Sequence, residues 1–151
     1  MPAEYELNVP KNGWSNLTWA ISGGLLISFG QTGSVPTERW SEFISALDSG
    51  KLTHILSMSS GDFQIDSLQR KTAADIVKAR KFRCAVVVDS VITRGVLTAL
   101  GWIGVQLKSF PPSQTRDALE YLAVPGRSVD DLMETITRLR ESSMPRQERA
   151  K

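Results

Sequence analysis

The feature that most limits how this chain can fold is the unbroken apolar run Cys84-Ala85-Val86-Val87-Val88. It is far shorter than the roughly 18 apolar residues a membrane span requires. It also lacks the polar alternation of a strand with one wet face. A short β-branched run of this kind is the signature of a strand covered on both faces, as in the parallel sheets of α/β domains. The chain is therefore expected to build a sheet between helices, with this strand at its centre.

Patterns on either side agree with that. Leu17-Thr18-Trp19-Ala20-Ile21-Ser22 faces Leu25-Leu26-Ile27-Ser28-Phe29 across Gly23-Gly24, and two glycines can supply the positive φ angles of a type I′ hairpin. Trp40, Phe43, Ile44 and Leu47 recur at helical spacing after Pro36 or Thr37, with Gly50 placed to stop the helix. Thr53 to Met58 reads as a strand. Asp66 and Gln69 have the spacing of a capping box, opening a helix to about Lys81 with Leu68, Thr72, Ala73, Ile76 and Val77 on its inner side.

Beyond the central run, Ser90 is placed to cap a helix to about Ile103, and Val105 to Phe110 alternates as a strand near the sheet edge before Pro111-Pro112. Ser113 is placed to cap a short helix. Ser128 is placed to cap a last one carrying Val129, Leu132, Met133, Ile136 and Leu139. Residues 1–141 then form one domain and 142–151 a flexible, polar C-terminal tail.

Composition narrows the function more than it names it. With 41% apolar and 23% charged residues the chain has the material for a packed core. A net charge of +2, with no long run of one sign, gives no reason to expect nucleic acid as partner. The lone Cys84 lies in an apolar run, which points to a buried reduced thiol and a reducing compartment. No signal-like or membrane-length segment is visible, so a cytoplasmic bacterial protein is expected.

Catalytic chemistry has little to draw on. His54 is the one histidine, no metal-ligand cluster is spaced in the sequence, and neither a Walker loop nor a G-x-G-x-x-G turn follows a strand. Asp89 ends the central strand, where open α/β sheets gather ligands, but the acidic pair of a phosphoacceptor domain is missing. Asp62, Asp66 and Asp89 are the carboxylates left for an enzyme. The expectation is no enzyme, no metal and no cofactor.

Phe63-Gln64-Ile65-Asp66-Ser67-Leu68 resembles the strand-to-helix junction of the STAS family, in which an Asp-Ser pair opens the helix. That resemblance implies Ser67 as a phosphorylation site, although Leu68 and Gln69 stand where the family usually has Ser or Thr followed by Gly. Arg83 to Ser90, Thr93-Arg94-Gly95, Gly101-Trp102, Lys108-Ser109-Phe110 and Ala118 to Leu122 are similar to the SpoIIAA-like branch of that superfamily. The resemblance implies a single α/β domain: a mixed, mostly parallel sheet of about five strands, an N-terminal β-hairpin, and four to five flanking helices.

It also implies a regulatory or scaffolding role in signalling, through protein–protein contacts. The partner would be another protein or a second copy in a homodimer. Asp66, Ser67, Arg70 and Lys71 on one helix, and Val91, Arg94, Leu97 and Trp102 on the next, are the candidate interface. The shared architecture with lipid-binding CRAL-TRIO domains implies the alternative, a small apolar ligand or lipid enclosed beneath the aromatic-rich first helix.

Overall fold

A computed structural model describes residues 5–8, 15–90 and 106–143. Six strands form one sheet in the order β1-β2-β3-β5-β7-β8. They are β1 (Glu6–Asn8), β2 (Leu17–Ser22), β3 (Leu25–Gly30), β5 (His54–Ser59), β7 (Arg83–Val87) and β8 (Leu107–Phe110). The first three pair antiparallel, and β3, β5, β7 and β8 pair parallel. Two short strands, β4 (Gly33–Ser34) and β6 (Phe63–Gln64), pair with each other beside it.

The mixed, mostly parallel α/β architecture is as expected, with six strands in the main sheet in place of about five. Among the described residues four helices flank it: α1 (Thr37–Leu47), α2 (Ser67–Arg80), α3 (Thr115–Leu122) and α4 (Val129–Ser143). The strand β7 lies one place in from the edge, between β5 and β8; β3 and β5 hold the centre. An apolar run reports cover on both faces, and β7 obtains that cover without being central.

Local chemistry explains most element boundaries. The hairpin turn differs from type I′, because Gly23 alone of the pair takes a positive φ, 58°. That is the type II′ pattern, in which only the first turn residue needs the freedom of glycine. The capping box forms as expected: Asp66 Oδ1 accepts from the Gln69 amide at 2.7 Å, and the Asp66 amide donates to Gln69 Oε1 at 3.0 Å. Ser128 caps α4 by accepting from the Asp131 amide at 3.1 Å. Ser113 does not cap α3; it lies in a 3-10 turn, Pro112–Gln114, that leads into the helix.

Period-two alternation sends each strand's side chains to two separate cores. Leu26, Ile55 and Cys84 face α1 and α2, with Trp19, Trp40, Phe43 and Val77. Ile27, Phe29, Leu56, Met58 and Val87 face α3 and α4, with Leu119, Leu122, Leu132 and Ile136. Trp19, Phe29 and Trp40 are all buried, although Phe29 points to the opposite face from Trp19 and Trp40; Trp14 lies outside the described residues. The helix expected from Ser90 lies almost wholly outside the described residues.

Arg39 holds the sheet edge to the first helix. Buried at 4% exposure, it donates through Nε to the Leu17 carbonyl at 2.9 Å, and through Nη1 and Nη2 to Asn8 Oδ1 and the Asn8 carbonyl, both at 2.8 Å. Its guanidinium carbon lies 4.1 Å from the centre of the Trp19 ring. Removing the fork leaves the buried Leu17 carbonyl without its partner, at about 1–3 kcal/mol, and gives up two charge-assisted bonds to the exposed Asn8. Arg39→Met should lower unfolding stability in urea by about 2–4 kcal/mol, and Arg39→Lys should recover less than half, since an ammonium cannot reproduce the fork. An unchanged midpoint for Arg39→Met would show that β1 and α1 are held by other contacts.

Candidate functional site

The two cores differ in how fully the strands fill them. Toward α3 and α4, β3 presents Leu25, Ile27 and Phe29, and β5 presents Leu56 and Met58. Toward α1 and α2 the same strands present Ser28 and Gly30, and Ser57 and Ser59. The parallel register sets Ser28 beside Ser57 and Gly30 beside Ser59. Small side chains thus lie two by two in the middle of the sheet.

The helix above adds little bulk. Ala73 and Ala74 of α2 are half-buried over this floor, and Val77 is the helix's one buried residue. What remains is a cavity of about 580 Å³ between α1, α2 and the sheet. Trp40, Phe43 and Leu47 form its α1 wall, and Ile55, Cys84 and Val86 continue its floor. Phe63 closes over Gly30, where a Cβ would come within 2.8 Å of the ring.

The exposed lining residues Gly61, Asp62, Gln64 and Ser90 follow the carboxyl ends of β5 and β7 or sit in β6 beside them, and Arg70 joins them from the first turns of α2. The mouth is therefore at the carboxyl edge of the parallel strands, where open α/β sheets place their ligands.

A few polar groups interrupt the apolar lining. Ser28 Oγ and Ser57 Oγ are hydrogen-bonded at 2.9 Å, which leaves one hydroxyl hydrogen of the pair to donate onward. Trp40 Nε1 lies behind that lining, buried with no hydrogen-bond partner among the described residues, a condition that costs about 1–3 kcal/mol for a donor cut off from water. Asp62 accepts from Gln64 Nε2 at 3.0 Å. Arg70 donates to the Ile65 carbonyl at 3.4 Å and meets no carboxylate among the described residues.

The expected interface residues divide. Asp66, Ser67, Arg70 and Lys71 are all exposed at the start of α2. Lys71 pairs with Asp75 at 2.8 Å, so Arg70 is the freer cation of the two. Of the stripe expected on the inner side of α2, Ala73, Ile76 and Val77 pack against the core, whereas Leu68 in the first turn is 73% exposed. Val91, Arg94, Leu97 and Trp102 lie outside the described residues. The basic residues toward the end of α2 are partly tied down: Arg80 pairs with Asp48 at 2.8 Å, and Arg83 lies over Tyr121 and donates to its carbonyl at 2.6 Å.

Neither titratable side chain that drew attention behaves as a reactive group. Burial pushes the Cys84 thiol up to about 12, so it stays protonated and a poor nucleophile. His54 sits at the amino end of β5, roughly 16 Å along the strand from Ser59 and the mouth. Among the described residues no three His, Cys, Asp or Glu side chains converge as a metal site. Sequence reading passed over Ser28, Gly30, Ser57 and Ser59, although their alternation with Ile27, Phe29, Leu56 and Met58 is visible in the chain.

No protein-family model matches the chain, and no curated protein matches it. Among solved structures it is similar to an uncharacterised DUF3478-family protein with a SpoIIAA-like fold from Shewanella loihica PV-4, at 13% identity and a TM-score of 0.45 over 80% of this chain and 93% of that one. No described helix is long and apolar enough to cross a membrane.

Partial burial, and next the positive charge of Arg83, hold the His54 imidazole below its ordinary value of 6.5. The unfolded chain therefore binds the proton first as pH falls, and stability present above the ordinary value declines below it. The melting temperature should drop between pH 7.5 and 5.5 by more in the natural chain than in His54→Gln. Equal drops would show that the ring titrates alike in both states.

Proposed function

We propose that this chain is a non-enzymatic binding module that senses a small apolar molecule, held between α1, α2 and the sheet. The observation that carries this reading is the cavity of about 580 Å³ floored by Ser28, Gly30, Ser57 and Ser59. Its size falls within the range of about 300–1,000 Å³ typical of small-molecule sites, and its mostly apolar wall with a few polar groups is their usual composition. Space of this size at the centre of a sheet is unusual in a protein interior packed like an organic crystal.

N-Phenyl-1-naphthylamine, an apolar dye that brightens out of water, tests the reading. Its emission should rise on titration with the natural chain. Ser57→Leu and Ala73→Leu fill the space from floor and roof, and should weaken the dye at least about tenfold, as expected when well over 1.4 kcal/mol of contact is lost. Melting temperatures should not fall in either variant. Equal dye binding by all three proteins, or none by the natural chain, would contradict the reading.

A second reading, regulation through a protein partner docking on the first turn of α2, is favoured by Leu68, whose side chain is 73% exposed. Ser67 precedes it with its side chain exposed, and Arg70 and Lys71 follow one turn on. Phosphate on Ser67 would stand at the positive end of the helix dipole and add about two negative charges to that surface. The occupant would be another protein or a second copy of this chain. Cross-linked complexes, or self-association seen by light scattering, should be lost in Leu68→Glu and altered in Ser67→Asp; identical profiles for all three would count against it.

A further inference from the structure

We infer that the molecule taken into the cavity is an amphiphile with an anionic head, of the monocarboxylate class, its apolar body over Ser28 and Ser57 and its carboxylate on Arg70. This rests on the cavity reading above and specifies its ligand. The polar groups around the site are unevenly matched in hydrogen-bonding sense.

Two donors at the site are unused or underused. The Ser28–Ser57 pair has one hydroxyl hydrogen beyond the bond it makes at 2.9 Å. Arg70, at the mouth, spends one N–H on the Ile65 carbonyl at 3.4 Å and faces no described carboxylate within salt-bridge distance. Guanidinium is always charged and presents its donors in a fork that fits a carboxylate.

The acidic group at the same mouth is Asp62, and it already accepts from Gln64 Nε2 at 3.0 Å. Asp62 thus has a hydrogen-bonded side-chain partner at 3.0 Å, whereas the Arg70 fork has only the 3.4 Å contact to Ile65 among the described residues. A ligand that supplies acceptors and a negative charge at one end, and apolar surface elsewhere, complements the Arg70 fork and the apolar wall. A neutral alcohol supplies the apolar surface without the charge, and an amine would bring a further donor to a site rich in them.

Isothermal titration with decanoate, decanol and decylamine at pH 8, below their micelle or solubility limits, tests the inference. Decanoate should bind the natural chain about tenfold or more tightly than decanol, the margin of one charge-assisted bond. In Arg70→Met, which keeps much of the apolar stem and removes the charge, and whose folding is checked by circular dichroism, that margin should shrink below about threefold. Ser57→Leu should weaken both ligands.

Decanol binding as tightly as decanoate would overturn the anionic head while leaving the cavity reading intact. Decylamine binding tightest would overturn it in favour of Asp62 as the recognising charge. A decanoate preference that survives Arg70→Met would overturn the assignment to Arg70. Failure of all three to bind the natural chain would remove the cavity reading, and this inference with it.

Discussion

The structure depends on how β3 and β5 divide their side chains between the two faces of the sheet. On the side of α3 and α4 they present Leu25, Ile27, Phe29, Leu56 and Met58, which close a dense core. On the side of α1 and α2, the register pairs Ser28 with Ser57 and Gly30 with Ser59. One face supplies the buried area that holds the sheet together, at about 25 cal/mol per Å² of apolar surface. Because that face is complete, the other can leave space without the fold depending on filling it.

The two helices that wall the space are held in different ways. Trp40 and Phe43 pack with ring centres 5.4 Å apart, and Trp19 meets Phe43 edge-on at 5.2 Å. Arg39 anchors α1 to Leu17 and Asn8. The wall is thus held by its own aromatic and hydrogen-bonded contacts. By contrast α2 rests on Val77, Ile76 and half-buried alanines, and is tied at its ends by Gln69 Nε2 donating to the Val35 carbonyl at 3.1 Å and by the Arg80–Asp48 pair. The exposed Leu68 and Ser67 sit on this same helix, so a ligand beneath it and a partner above it would act on one element.

Local signals in the sequence were legible where the chemistry is local. The capping box at Asp66 and Gln69, the Ser128 cap and the Trp40-Phe43-Leu47 stripe each depend on residues a turn or less apart, or on one helix's own period. What depended on distant partners was not. Sheet order is a long-range property, so the run at Cys84 announced burial without revealing that β5 would be the more central strand. Leu68 fitted the same apolar stripe as Ala73, Ile76 and Val77 by phase alone, yet only the later turns of α2 pack on the core and Leu68 is left exposed. Arg39 carries no sequence signal of its role, because its partners at Asn8 and Leu17 come from two other strands. The small residues on the α1 and α2 face of β3 and β5 could have been read as a gap, had the two alternations been set in register.

The most direct measurement is native mass spectrometry of the full chain purified without denaturant from the organism that encodes it. A population carrying a discrete added mass, released on denaturation and absent from Ser57→Leu prepared in the same way, is the expected result. Bare chain alone, under conditions gentle enough to preserve weak complexes, would contradict the view that this sheet face is kept open for a ligand.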